Sequence, residues 1–187
     1  MAPQTYKEKL KLVEDNIVSY ADFPKPGILF KDIFSAIAKG NVCKALKEIV
    51  MENIKTNFPD IEAVVGLESR GFLLCFMVAA ELELACIPIR KKGKLPGEVK
   101  SFHYSLEYGS DVFEVQTAHL RPGLKCLIVD DLIATGGSML AGINLLKNAG
   151  CDVLGCLAII ELGYINGGNK IREESGVKVH SLLNYKK

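Results

Sequence analysis

Leu127-Ile128-Val129-Asp130-Asp131-Leu132-Ile133-Ala134-Thr135-Gly136-Gly137-Ser138 passes from a wholly apolar run through two acids into a small, glycine-rich turn. Leu127 to Val129 have the uninterrupted hydrophobicity of a strand covered on both faces, as in a parallel sheet. Beyond the turn, Met139, Ile143 and Leu146 recur at helical spacing with Asn144, Lys147 and Asn148 between them, and Gly150 stands where the helix should end. The unit is strand, turn, helix. A helix N-terminus offers unbonded N–H groups and a partial positive charge, and Gly136 and Gly137 let a ligand approach the backbone closely, so the turn suits a phosphate. Asp130 and Asp131 stand too near that phosphate to be its ligands, yet are well placed to accept hydrogen bonds from sugar hydroxyls. The expected ligand is a ribose phosphate.

No lysine follows the glycines as in a Walker loop, and no G-x-G-x-x-G fingerprint is present. The stretch resembles the phosphoribosyl pyrophosphate (PRPP) motif of the type I phosphoribosyltransferases. The competing reading is an ordinary strand-to-helix turn whose acids cap the helix.

A second unit of the same kind precedes it. Ile61 to Leu67 reads as a buried strand entering the polar turn Glu68-Ser69-Arg70-Gly71, followed by a nearly all-apolar helix from Phe72 to Leu82. Two parallel strands delivering their turns to one sheet edge would bring Arg70 beside the Thr-Gly-Gly-Ser turn as a second anion site, unless Arg70 serves in a surface ion pair.

Elsewhere the signals are coarser. Tyr6, Leu10, Val13 and Ile17 predict an amphipathic helix over about 5 to 19, and Asn41 is placed to cap another that stops before Pro59. Between them the two prolines and glycine of Phe23-Pro24-Lys25-Pro26-Gly27 impose a non-helical crossing. Leu84 to Ile89 reads as a strand, with Pro88 implying an edge or a strand end. The run Arg90-Lys91-Lys92-Gly93-Lys94 and the polar tract to about Ser110 fit either a solvated face or a mobile cationic lid. Glu107, set between Leu106 and Tyr108, is either an ordinary loop acid or, desolvated, a proton acceptor. Val153 to Leu162 and Val177 to Leu183 complete the strands.

Composition sets limits. At 187 residues, 49% hydrophobic and 24% charged, the chain fits one domain with a sizeable core. A net charge of +1 gives no global field for nucleic acid or an anionic membrane, and no apolar run spans a bilayer or forms a signal peptide, so a cytoplasmic protein is expected. The six cysteines form no C-x-x-C pair and read as small packing residues, and three histidines argue against a metal centre.

Several segments in order resemble one family, the adenine phosphoribosyltransferases: Phe23 to Ile33, Ser69 to Phe72, Arg90 to Gly97, Tyr104 to Gly109 and Val129 to Ser138. The likeness spans about Tyr20 to Leu183. It implies a type I phosphoribosyltransferase fold: an α/β domain over 1–187 with a central, mostly parallel sheet flanked by helices, a small N-terminal hood over about 1–35 and a mobile lid over about 91–118. It implies a homodimer that converts adenine and PRPP to AMP and pyrophosphate, with Mg²⁺ carried by the substrate phosphates rather than bound directly. A related transferase for an oxopurine or orotate, or a PRPP-sensing regulator without turnover, is the alternative. By the same resemblance Asp130 and Asp131 hold the ribose, and Ala134, Thr135, Gly136, Gly137 and Ser138 cradle its 5′-phosphate. Glu68, Ser69 and Arg70 meet pyrophosphate, Arg70 with a catalytic role, around a non-proline cis peptide. Arg90 and Lys94 reach a neighbouring subunit's pyrophosphate. Leu29 and Leu162 sandwich the adenine, backbone near Leu29 and Lys31 reads its edge, and Glu107 accepts its proton. Lys31 departs from the Arg usual in the family, keeping the charge without the planar fork.

Overall fold

The computed structural model describes residues 4–23, 25–105 and 110–186. Met1–Asn57 and Phe58–Lys187 form two compact units, so the first continues past the hood segment expected to end near residue 35.

In the first unit α1 (Tyr6–Glu14) opens on a capping box, with Thr5 Oγ1 accepting from the N–H of Glu8 and Glu8 returning a bond to the N–H of Thr5. The helix expected to reach residue 19 ends five residues early. Val18–Ala21 instead forms β1, paired antiparallel with β2 (Leu29–Asp32), because Val18 and Tyr20 suit a ladder better than a frayed last turn. Asp32 then caps α2 (Ile33–Ile37) through the N–H groups of Phe34 and Ser35. The last helix, α3 (Gly40–Asn57), starts one residue ahead of Asn41, which therefore lies inside its first turn rather than at the cap.

The second unit is one seven-stranded sheet with helices between its strands. In chain order come β3 (Ala63–Leu67), α4 (Gly71–Leu82), β4 (Ala85–Lys91), β5 (Val99–Ser105), β6 (Ser110–Gln116), β7 (Lys125–Ile133), α5 (Gly137–Asn148), β8 (Asp152–Leu162), α6 (Gly167–Ser175) and β9 (Lys178–Tyr185). Across the sheet the order is β5-β6-β4-β3-β7-β8-β9. The five strands from β4 to β9 are parallel, and β6 and β5 add antiparallel pairs. Val65, Leu67, Ile89, Phe113 and Ile128 from the strands meet Ile143, Leu146 and Ile171 from α5 and α6 in one buried cluster. Both faces of β3 and β7 are covered, which explains their unbroken apolar runs.

Two expectations change in detail. Most of the segment expected as a lid is a hairpin, β5 paired with β6 from Val99↔Gln116 to Ser105↔Ser110. Its polar residues, such as Ser101 and His103, are exposed on an edge ribbon and so mimic a loop in sequence. Pro88, for its part, lies inside β4, not at its end. Ile89 turns its carbonyl to the N–H of Glu68, on the β3 side. Alternation therefore points the Pro88 nitrogen to the other flank, where β6 pairs from Arg90 onward.

Candidate active site

The site grows from unequal pairing of β7. Its ladder with β8 runs to Ile133↔Glu161, but its ladder with β3 stops at Gly66↔Val129. Asp130 to Ile133 therefore extend past the end of β3, and the turn Glu68 to Arg70 faces them across an open cavity of about 340 Å³. The opposite wall runs from Asp130 to Met139. The strand thus carries both acids within itself, where the sequence placed them after its end.

Close backbone contact sets the spacing of these walls. At Gly71, the first residue of α4, a Cβ would sit 2.6 Å from the Val129 carbonyl oxygen and 3.1 Å from Asp130 Oδ1. Gly136 is left-handed (φ 81°), and a Cβ there would meet the Gly167 carbonyl oxygen at 2.8 Å. Gly137, by contrast, has open space on its Cα, its nearest neighbour being Thr135 Oγ1 at 3.8 Å. The turn is packed from behind and clear in front, as amides that receive an anion must be. Ala134 and Thr135 enter this turn, and Ser138 stands exposed in the first turn of α5.

The two acids differ. Asp131 is 3% exposed and accepts from Arg70 Nε at 2.5 Å, an ion pair that ties the first turn to the second strand. Asp130 is less enclosed, and its Oδ1 accepts from the N–H of Asp131 at 2.9 Å. Burial, then the charge of Asp131, pushes the Asp130 carboxyl up to about 8. The pair is thus poised to gain from hydroxyl donors, which stabilise the ionised form.

Glu68 and the cations beyond β4 also converge. The Glu68 carboxylate pairs with Lys94 Nζ, lies 3.4 Å from Arg90 Nε and accepts from the N–H of Lys91 at 2.9 Å. Burial alone would raise this carboxyl, but Lys94, the Lys91 amide and Arg90 together outweigh it and hold the group below its ordinary range. Ser69 is exposed between Glu68 and Arg70, and the Glu68–Ser69 peptide is cis.

The remaining expected residues are distributed as follows. Leu29 and Lys31 belong to the first unit; Leu29 is exposed and Lys31 Nζ donates to Ser19 Oγ at 2.8 Å. Leu162 closes β8 in the second unit and is buried. Glu107 lies outside the described residues, between the paired positions Ser105 and Ser110. One residue was missed: Tyr104 of β5, whose hydroxyl lies near Ser138 and whose ring tilts against Phe113 with centroids 4.8 Å apart. Burial, then the charge of Asp111, pushes its hydroxyl up to about 12. Only the hairpin register brings Tyr104 to α5, so no local signal could have found it. Among the described residues, no group of three His, Cys, Asp or Glu side chains is arranged to hold a metal ion, and no helix is long and apolar enough to cross a membrane.

Comparison with known proteins agrees with this geometry. Residues 35–179 match the phosphoribosyl transferase domain family. The chain is 46% identical over 185 residues to the adenine phosphoribosyltransferase of Drosophila pseudoobscura pseudoobscura, covering 99% of this chain and all of that one. Among solved structures it is similar to the Saccharomyces cerevisiae adenine phosphoribosyltransferase complexed with an imino-altritol bisphosphate and adenine, with a TM-score of 0.88, 35% identity and coverage of 95% of this chain and 99% of that one. The Giardia lamblia enzyme complexed with 9-deazaadenine gives a TM-score of 0.87 at 30% identity, covering 99% and 100%.

Proposed function

The chain belongs to the adenine phosphoribosyltransferase family, and from that premise we propose how it transfers the 5-phosphoribosyl group of PRPP to adenine, giving AMP and pyrophosphate. The observation that carries the reading is the cavity between two helix-opening turns, one lined with bare amides and the other bearing Arg70.

The amides from Ala134 to Ser138 bind the 5′-phosphate, with Tyr104 steadying the Ser138 hydroxyl. Asp130 and Asp131 accept the ribose hydroxyls and present the anomeric carbon. As pyrophosphate departs, positive charge grows on the sugar and negative charge on the leaving group. Arg70 and the N–H groups of its turn receive that negative charge. Lys94 and Arg90, held on the Glu68 carboxylate in the free chain, exchange this partner for the incoming phosphates. Mg²⁺ carried by the substrate phosphates would supply further charge neutralisation, and Asp130 and Asp131 at the cavity are the hard oxygen donors that would face it. Backbone near Leu29 and Lys31 reads the edge of adenine, and Glu107 accepts its proton. The engagement of Lys31 Nζ with Ser19 supports a main-chain rather than a side-chain reading of the base.

A cytoplasmic homodimer fits the same reading: Leu73 and Phe76, 53% and 71% exposed on α4, form an apolar face suited to a second copy. The test is AMP formation with PRPP, Mg²⁺ and each common nucleobase. Turnover with adenine alone is expected, and equal turnover with hypoxanthine or guanine would overturn the substrate assignment.

A further inference from the structure

Cys75 and Cys86 stand apart from the other cysteines. Their sulfurs are 3.3 Å apart, one on α4 and the other on β4. Cys75 is buried, and its thiol also approaches the Val64 carbonyl oxygen at 3.1 Å. Cys86 is exposed, on the stretch of β4 that precedes its pairing with β6, so a small solute can reach it. The neighbouring thiols Cys126 and Cys151 are both buried, and Cys156 is buried as well. Cys75 also lies one turn into the helix that begins directly after Arg70. A Cβ on Gly66 would sit 2.7 Å from the Cys75 Cβ and 2.9 Å from the Gly71 carbonyl oxygen, so α4 and β3 meet without slack.

We propose that Cys75 and Cys86 are a reversible dithiol–disulfide pair, oxidised by a hydroperoxide, whose closure shifts α4 and with it the turn that carries Arg70. In the first step the Cys86 sulfur attacks a peroxide oxygen, the O–O bond breaks, and Cys86 becomes a sulfenic acid with release of one water or alcohol. The Cys75 sulfur then attacks the Cys86 sulfur. The S–S bond forms, the S–O bond breaks, and the departing hydroxide takes the Cys75 proton to leave as water. Two thiols and one hydroperoxide thus give one disulfide, and two equivalents of an external thiol, or one of a dithiol, reverse the change. Burial pushes the Cys75 thiol up and leaves the exposed Cys86 as the thiol that meets the peroxide first. Bonding requires the sulfurs to close by roughly 1.3 Å, a movement the tight Gly66 contact passes to the start of α4.

The experiment treats the purified protein with hydrogen peroxide and then with dithiothreitol, alongside Cys86→Ser and Cys75→Ala. The intact mass should fall by about 2 Da, with a Cys75–Cys86 cross-linked peptide and no cross-link in either variant. The KM for PRPP should rise about fivefold or more while kcat changes less, and dithiothreitol should restore both. Cys86→Ser should keep its KM in peroxide. Oxygen added to Cys86 without a cross-link would overturn the pair, and a cross-link with unchanged KM would overturn its link to the turn. The kinetic readout rests on the PRPP reading above, whereas the mass and peptide map do not.

Discussion

The two strand-turn-helix units present different electrostatics to the cavity between them. Between β3 and α4 the turn relies on charged side chains: Arg70 paired with Asp131, and Glu68 paired with Arg90 and Lys94. Between β7 and α5 the turn holds no charged side chain from Ala134 to Ser138, and presents amides around a left-handed Gly136. Charges on flexible stems act at a distance and yield to salt, while fixed amides act at contact and tolerate salt better. A transferred sugar needs both, since its 5′-phosphate stays in place and its pyrophosphate must leave.

The comparison can be tested at decreasing magnitude. Glu107→Ala should lower kcat roughly 100-fold or more while titration still shows PRPP binding, separating proton acceptance from both turns. Arg70→Ala should lower kcat/KM roughly 30-fold, and added salt should narrow the gap to the parent. Gly136→Ala should cost about tenfold in PRPP affinity at any salt concentration, because its Cβ meets the Gly167 carbonyl oxygen and its φ is positive. A salt-dependent loss there would mean that the amide turn is not distinct.

Asp130→Asn sets a pH signature. The parent carboxyl is raised from 3.8 to about 8 in the folded chain. Its contribution to stability is therefore complete below about pH 4, declines as pH rises, and is gone above about 8. The variant lacks that decline, so its melting temperature should gain on the parent by roughly 10 °C between pH 4 and 8 and then level off. Glu68→Gln should have the smallest effect. Releasing Lys94 and Arg90 should lower the KM for PRPP about twofold at low salt, because these pairs are partly exposed. A raised KM would make Glu68 a positioning group for the cations.

Both turns were readable because each joins a covered strand to a helix through small or charged residues within a dozen positions. Asp130, Asp131 and Gly136 announce themselves in this way. What escaped depends on distant pairing. Val18 to Ala21 extend a helical pattern in sequence, yet β2 recruits them as a strand. Lys100 to His103 look like a loop because their partners, Val115 to Val112 on β6, lie farther along the chain. The Glu68 contact with Lys94, over 26 positions, and the Tyr104 contact with Ser138 require the sheet order before they can be drawn. Local chemistry names the ligand groups; topology decides which of them meet.

The bare Cα of Gly71 against the Val129 carbonyl has a further consequence. Since main chain abuts main chain there, no rotamer can widen or narrow the interval between the two cradles. While Cys75 and Cys86 stay reduced the interval acts as a fixed gauge, so a sugar one carbon longer or shorter should be refused by length, whatever charges it carries.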